Sequence, residues 1–564
     1  SFTAVPLRSA QARAYRKPEA SQAVGDERMC RFGNGGFACN HSVRKAQSAR
    51  AGWEMIMRLR VLAAAVVVAL ATPACAQVSP PAPQITPEWQ LPLASIDERM
   101  LAFQEEAHIL GMVWGVVKDG RLIHFTANGL QSLETGEPVA ADTYFRIASM
   151  SKAFTALAIL KLRDDGKLQL DALAETYVPE LKGWKYPTTD SPRIRVRDLL
   201  SHVGGLVTDD PWGDRQQPLT EEAFTKMLRD CVPFTRAPQT QMEYSNFGYA
   251  LLGRIITNVS GRPYNQYIMT EIMKPLGMTS TTYEVRDVPA AKLALGYRWE
   301  NGAWALEPTM PHGVFGAMGG VVTNANDYVK WVAFLLDAWP ARDGAETGPV
   351  KRSSVRELSQ GLNFAALVSR PSLDEDGAPC RYANTYGMGM NAGLDCYLGF
   401  TLGHSGGYPG YGSNVLLLPD QGVGLFVFAN RTYAGPSVTN RLAALELHKA
   451  GVLKGRAMAV SAPLAAAYQA AGSMYRAGNL EPGRAMLAMN FLMDRTAENW
   501  KGEFARLKET VGACGAAEPI KATGALTGAF SWACERGVIT GVLQLAPTNQ
   551  PGIQSLELEV APAE

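Results

Sequence analysis

The spacing of apolar positions changes several times along the chain, and each change marks an element. Residues 95–110 carry the helical repeat of an amphipathic segment. "GMVWGVVKDGRLIHFTANG" (111–129) is two apolar runs meeting at Lys118-Asp119-Gly120, and Asp-Gly between such runs predicts a β-hairpin. "SMSKAFTALAILKLRDDGKL" (149–168), rich in Ala and Leu and stopped by Gly166, predicts a helix. Residues 170–310 mix short helical runs with many Pro and Gly turns. "NANDYVKWVAFLLDAW" (324–339) predicts a helix capped by Asn324 or Asn326, "SNVLLLPDQGVGLFVFAN" (413–430) a second hairpin, and "SVTNRLAALELHKAG" (437–451) another helix. Strands thus gather at both ends of residues 90–452 with helical material between. That order predicts an α+β unit, an antiparallel sheet built from both chain ends beside a helical subdomain. Residues 460–564 read as a separate small α+β domain: helices in "PLAAAYQAAGSMYRAG" and "NWKGEFARLKETVG", then strands in "ATGALTGAFSWACERGVITGVLQLAP" and "IQSLELEVAP".

The N-terminal residues do not fit this pattern. "MRLRVLAAAVVVALATPACAQ" (57–77) has two arginines, an apolar run too short to span a bilayer, and Ala74-Cys75-Ala76, the form of a secretory signal cleaved after Ala76. Cys75 lacks the large apolar residue that lipid attachment expects ahead of it. Residues 1–56 read as a leader or upstream translation, residues 77–90 as a Pro-rich linker, and residues 91–455 as the main domain. The expected location is periplasmic or secreted, with no membrane span after processing. The leader and the two arginines account for +7, which leaves −6 on the rest of a chain whose formal charge is +1. A mildly acidic body gives no electrostatic reason to bind nucleic acid. The segment after the signal holds Cys231, Cys380, Cys396, Cys514 and Cys534. Export makes Cys380 with Cys396 and Cys514 with Cys534 candidate disulfides, with Cys231 left over. The histidines show no ligand spacing, so neither a metal nor a cofactor is expected.

"GHSGG" (403–407) fits two incompatible patterns. As G-x-S-x-G it would be a nucleophile elbow on Ser405, but an elbow leads into a helix, and Tyr408-Pro409-Gly410-Tyr411-Gly412 leads into a hairpin. As H-x-G it lines a site whose nucleophile lies elsewhere, and Ser149 supplies one. Lys152 follows three residues on, so the two side chains share a face of the helix start. A lysine held partly out of water there can take the serine's proton, and the helix N-terminus favours a developing oxyanion. "EYSNFGYALLG" adds Tyr244 and Asn246, a phenol and an amide two residues apart. Each pattern has a decoy, in "SVRK" (42–45), "YAN" (382–384) and "HVG" (202–204). The first falls in the leader, the second reads as a polar loop, and the third precedes Tyr244.

The ordered set Ser149-x-x-Lys152, Tyr244-x-Asn246 and His404-Ser405-Gly406 resembles the penicillin-recognising serine hydrolases of the class C type. These include class C β-lactamases, D-Ala-D-Ala carboxypeptidases, D-aminopeptidases and β-lactamase-like esterases. "RDLLSHVGGL" (197–206), "GGVVTNANDYVKW" (319–331) and "YGMGM" (386–390) are similar to family segments in the same order. The resemblance implies a β-lactamase/transpeptidase-like fold in which Ser149 attacks a carbonyl and Lys152 activates it. It implies that Tyr244 relays a proton, that Asn246 bonds Lys152 and substrate, and that the backbone N–H groups of Ser149 and Gly407 receive the oxyanion. Class C β-lactamases carry lysine where this chain has His404; histidine there is similar to the carboxypeptidase, aminopeptidase and esterase members. Gly406 lets a small-molecule or peptide substrate approach, and Phe247, Tyr408 and Tyr411 are the expected aromatic walls. His404 is expected to titrate near ~6.5 and to attract a substrate carboxylate as the pH falls through that value. The expected activity is cleavage of short esters or D-amino-acid peptide and amide bonds. β-Lactam hydrolysis and non-turnover binding of penicillins or wall peptides are the alternatives.

Overall fold

The computed structural model describes residues 86–209, 212–230, 232–370, 379–515 and 518–561. The leader, the signal-like segment with Cys75, most of the linker, and Cys231 lie outside the described residues. The first element is α1 (Pro87–Glu106), where Trp89, Leu93, Ile96 and Met100 form one buried stripe at steps of three and four. Strands β1 (Gly111–Lys118) and β2 (Arg121–Gly129) turn at Asp119 and Gly120, whose φ angles of 48° and 78° are the left-handed pair that a tight hairpin turn needs. Three longer helices follow in the middle of the chain: α2 (Lys152–Asp164), α3 (Asn246–Ser260) and α4 (Ala325–Asp337). Asn324 is the cap of α4, its Oδ1 accepting the Asp327 N–H at 3.0 Å.

The chain then returns to the sheet through β3 (Phe364–Arg370), β4 (Cys380–Tyr386), β5 (Asn391–Asp395), β6 (Gly399–Tyr408), β7 (Tyr411–Leu418) and β8 (Val423–Ala429), and closes on α5 (Ser437–Lys449). The strand order is β2-β1-β8-β7-β6-β5-β4-β3, antiparallel at every step. The first two strands lie beside the last, so the sheet is built from both ends, as the apolar pattern predicts. Its inner face packs Val415, Leu417, Phe426 and Phe428 against the central helices, and its outer face packs Trp114, Leu425 and Val427 against α1 and α5. Helix α2 lies inside the inner layer, which is why its sequence is apolar on every side. The pairing of β6 positions the site: β7 accompanies it to Tyr408, whereas β5 stops at Gly403.

Two readings of the pattern need correction. Strands β3, β4 and β5 carry no clear alternation, and Tyr382-Ala383-Asn384, expected in a polar loop, is the middle of β4. The helix expected from residue 149 starts as a 3-10 turn, Ala148–Ser151, with α2 proper from Lys152.

Residues 462–560 gather around a core of their own that includes Leu464, Tyr475, Trp500, Phe504, Trp532 and Leu543. Helices α6 (Ala462–Ala477) and α7 (Ala497–Val511) pack on a sheet of order β9-β10-β11-β12, formed by Lys521–Ala522, Thr527–Cys534, Gly537–Leu545 and Ile553–Val560. Cys514 is disulfide-bonded to Cys534, and Cys380 to Cys396. Arg456, between the two cores, donates to the carbonyls of Leu336 and Trp339 at 2.7 and 2.6 Å and to Asp119 Oδ1 at 3.0 Å. Among the described residues no helix is long and apolar enough to cross a membrane.

Candidate active site

Ser149 sits on the 3-10 turn, and the residue before it is held in an unusual conformation: Ala148 has φ 48°. A non-glycine residue there costs on the order of 1–3 kcal/mol and persists only where its surroundings over-determine it. Here they do. The short strand Phe145–Arg146 pairs with Val322–Thr323, Ser151 Oγ accepts the Val321 N–H at 3.0 Å, and Ser413 Oγ donates to the Ile147 carbonyl at 2.9 Å. The turn delivers Lys152 as the first residue of α2, buried completely. Its Nζ donates to Ser149 Oγ at 3.0 Å, Asn246 Oδ1 at 2.7 Å and the Met318 carbonyl at 3.0 Å, and lies 4.7 Å from the centre of the Tyr244 ring.

Tyr244 and Asn246 come from the start of α3. Ser245 caps this helix, its Oγ accepting the Gly248 N–H at 3.2 Å. A second acceptor reaches in from a distant loop: Asp209, itself buried, takes the N–H groups of Asn246 at 2.7 Å and Phe247 at 2.9 Å on its two oxygens. An anion suits a helix N-terminus, and this one fixes the backbone that carries Asn246. The Tyr244 ring packs on His202, 4.3 Å between centres, and His202 Nδ1 accepts the Ser245 N–H at 3.1 Å.

The third wall is β6. A Cβ on Gly406 would stand 2.2 Å from Ser413 Oγ and 2.3 Å from the Ile147 carbonyl oxygen, so only glycine lets this strand lie against the turn that carries Ser149. A Cβ on Gly407 would meet the Tyr433 ring at 2.7 Å. His404 is buried one turn of the pleat away. Its Nδ1 lies 2.5 Å from the Ser405 carbonyl oxygen and its Nε2 2.9 Å from Tyr386 Oη. A carbonyl can only accept, so Nδ1 carries the hydrogen and Nε2 accepts from the phenol. Burial, then the Lys152 charge, push His404 down to about 3, against the opposing effect of the Ser405 carbonyl. An amine within reach of a hydroxyl, a phenol beneath it, an amide fixing it and a glycine strand alongside form the layout for acyl transfer through serine.

A family model described as Beta-lactamase matches residues 96–449, well over half of the chain. The chain belongs to the beta-lactamase family. Protein flp of Staphylococcus aureus (strain MW2) is 29% identical over 335 residues, 58% of this chain and 60% of that protein. Beta-lactamase-like protein 2 of Dictyostelium discoideum is 33% identical over 221 residues, 37% of this chain and 38% of that protein. The match thus spans about 60% or less of these relatives. Two solved structures share the fold. One is the octameric penicillin-binding protein homologue from Pyrococcus abyssi (TM-score 0.52, 20% identity, 81% of this chain and 92% of that one). The other is a class C beta-lactamase (TM-score 0.51, 18% identity, 66% of this chain and 99% of that one).

Within this beta-lactamase family member, Ser149, Lys152, Tyr244 and Asn246 come together, and Gly406 and Gly407 lie alongside. Other expected residues are placed differently. Phe247, on the inward face of α3, packs against Trp184, Phe224 and Phe315 and is 1% exposed. Tyr408 is 1% exposed beneath the Arg146 guanidinium, and Tyr411 is buried with its Oη donating to the Ala294 carbonyl at 2.8 Å. All three are core rather than walls. Tyr433, 39% exposed beside Gly407 and donating to Asp214 Oδ2 at 2.9 Å, is an aromatic wall that motif spacing gave no reason to select. His404, expected as a catalytic group titrating near 6.5, is held well below that value by burial and the Lys152 charge, with Nδ1 against the Ser405 carbonyl and Nε2 against Tyr386 Oη. Ser405 lies mid-strand, its Oγ accepting from Asn414 Nδ2 at 3.1 Å, and is no elbow.

Proposed function

We propose that the protein is an exported serine hydrolase that passes through an acyl-enzyme on Ser149 and cleaves short esters or D-amino-acid peptide and amide bonds. The observation that carries this is the 3.0 Å contact of Lys152 Nζ with Ser149 Oγ in a desolvated pocket. Lys152, an ammonium with three donated hydrogen bonds at rest, first gives up one proton to water; as Oγ then bonds the substrate carbonyl carbon, the Oγ proton moves to the resulting amine. The carbonyl oxygen becomes an oxyanion between the backbone N–H groups of Ser149 and Gly407, where fixed dipoles stabilise it. Tyr244 carries the proton on to the leaving nitrogen or oxygen as that bond breaks. Water then attacks the acyl carbon, gives up its proton by the same route, and frees the acid. Export is supported by the signal-like residues 57–77 and by the two disulfides, which persist in oxidising compartments.

Acyl transfer by these residues is indifferent to whether an amine or an alcohol leaves. The neutral His404 supplies no fixed cation where class C β-lactamases place lysine, which favours ester and D-peptide substrates over β-lactams. β-Lactam hydrolysis remains the second reading because of the family description. The test compares kcat/KM for a short p-nitrophenyl ester, a D-Ala-D-Ala peptide, a D-amino-acid amide and a chromogenic cephalosporin. The ester or a D-residue substrate is expected to lead. A cephalosporin lead of more than about a hundredfold, near 2.7 kcal/mol in the transition state, makes the protein a β-lactamase instead. Acylation by any of them without turnover makes it a binding or sensing protein.

A further inference from the structure

We propose that Tyr433 closes the acyl side of the site and restricts substrates to short acyl groups without negative charge; this rests on the acyl-enzyme reading above. Its ring lies against Gly407, where a Cβ would stand 2.7, 3.3 and 3.8 Å from ring atoms, so it borders the strand residue whose N–H receives the oxyanion. Its Oη donates to Asp214 Oδ2 at 2.9 Å. Asp214 belongs to the short helix Trp212–Arg215, and Gly213 just before it packs so closely on Asn246 that a Cβ there would stand 2.9 Å from the Asn246 Cβ. One side chain thus bridges from the oxyanion strand to the turn that leans on Asn246.

The four bonds of the reacting carbon give the direction. Two go to Ser149 Oγ and to the oxyanion, and a third to the leaving atom, which faces Tyr244. The Tyr244 ring centre lies 6.2 Å from that of His404, three residues before Gly407 on β6. The acyl chain takes the remaining side, past Gly407 and away from His404, where Tyr433 stands. β5 ends its pairing at Gly403, so that strand does not cover this edge of β6, and Tyr433 is 39% exposed.

The wall is held at both ends, by its backbone and by its hydroxyl. Tyr433 has φ 49°, a left-handed conformation that a bulky residue keeps only where its surroundings over-determine it. Its N–H is shared by the carbonyls of Tyr411 at 3.1 Å and Tyr408 at 3.4 Å, and Thr432 Oγ1 accepts the Gly410 N–H at 2.7 Å. These bonds fasten the loop after β8 to the turn between β6 and β7. With Oη committed to Asp214, the ring offers substrate an apolar surface that a long acyl chain would have to displace. The Asp214 carboxylate, 3% exposed, repels an anionic acyl group across a poorly solvated gap. The neighbouring cation does not offset it, because Arg146 is 1% exposed and lies over the Tyr408 ring, 5.1 Å from its centre. Within the function proposed above, such a wall favours short esters and D-aminoacyl amides over wall peptides, whose acyl part is a chain.

The p-nitrophenyl esters of acetate, butyrate, octanoate and hydrogen succinate share one leaving group. Ratios of kcat/KM within one protein therefore report the acyl side alone, whatever fraction of a variant is folded. Wild type should favour acetate over octanoate, and butyrate over hydrogen succinate, each by at least about tenfold. Tyr433→Ala should raise the octanoate-to-acetate ratio at least about tenfold, and Tyr433→Phe, which keeps the ring, should move it far less. A ratio unmoved by Tyr433→Ala, a wild type that prefers octanoate, or hydrogen succinate cleaved as fast as butyrate overturns the wall and leaves the Ser149 reading standing. If intact mass shows that none of these esters acylates Ser149, the acyl-enzyme reading falls and the wall falls with it.

Discussion

Mild acid should weaken this fold through two histidines before it protonates most carboxylates. His202 and His404 are both buried, and in both, burial first and the Lys152 charge second hold the ring below its ordinary 6.5, with His404 at about 3. Unfolding exposes both rings to water, where they bind protons near 6.5. Below that pH the unfolded chain therefore holds more protons than the folded one, and stability falls as the pH falls. The contribution is intact above the unfolded value and is lost progressively until the folded rings themselves titrate. One such group removes about 1.4 kcal/mol per pH unit, so His404 costs roughly 2 kcal/mol between pH 8 and pH 5, and His202 adds to the loss in the same direction. That is a large share of the 5–15 kcal/mol typical of a domain. The assay is urea unfolding of wild type and His404→Gln at pH 8, 6.5 and 5. The glutamine does not titrate, so the variant, whatever its stability at pH 8, should lose roughly 2 kcal/mol less than wild type on going to pH 5. Equal losses in both proteins would refute a buried neutral His404.

Two substitutions test the packing on which the site depends. Gly406→Ala places a methyl 2.2–2.3 Å from Ser413 Oγ and the Ile147 carbonyl oxygen, so β6 must back away by about 1 Å; kcat should fall roughly a hundredfold or more, measured on the best ester. Gly502→Ala, on an open position of α7 with nothing within 4 Å, should raise stability by about 0.5–1 kcal/mol in thermal or urea unfolding with kcat/KM unchanged.

Local signals made part of this molecule legible in its sequence. The Asp119-Gly120 hairpin, the Asn324 cap and the Ser149-x-x-Lys152 spacing each act within a few residues, and each stands where the pattern put it. Strands β3 to β5 were not visible because their outer positions stay in water: Phe364, Leu367 and Leu394 are 83%, 76% and 63% exposed, so apolar and polar positions do not alternate with burial. Proximity to a motif misplaced Phe247, Tyr408 and Tyr411, since neighbours in sequence point to opposite sides of a strand or around a helix. The state of His404 was equally out of reach. It depends on Tyr386, eighteen residues away on another strand, and on a charge delivered by α2. Asp209, which fixes the start of α3 from a separate loop, carries no motif at all.

The central claim is that Ser149 is the residue acylated, and intact-mass measurement after brief incubation with a penicillin or an activated ester tests it most directly. Wild type and Ser405→Ala should both gain the mass of one acyl group, and Ser149→Ala should gain none. An adduct that persists in Ser149→Ala and disappears in Ser405→Ala would contradict the account and make the strand serine the nucleophile.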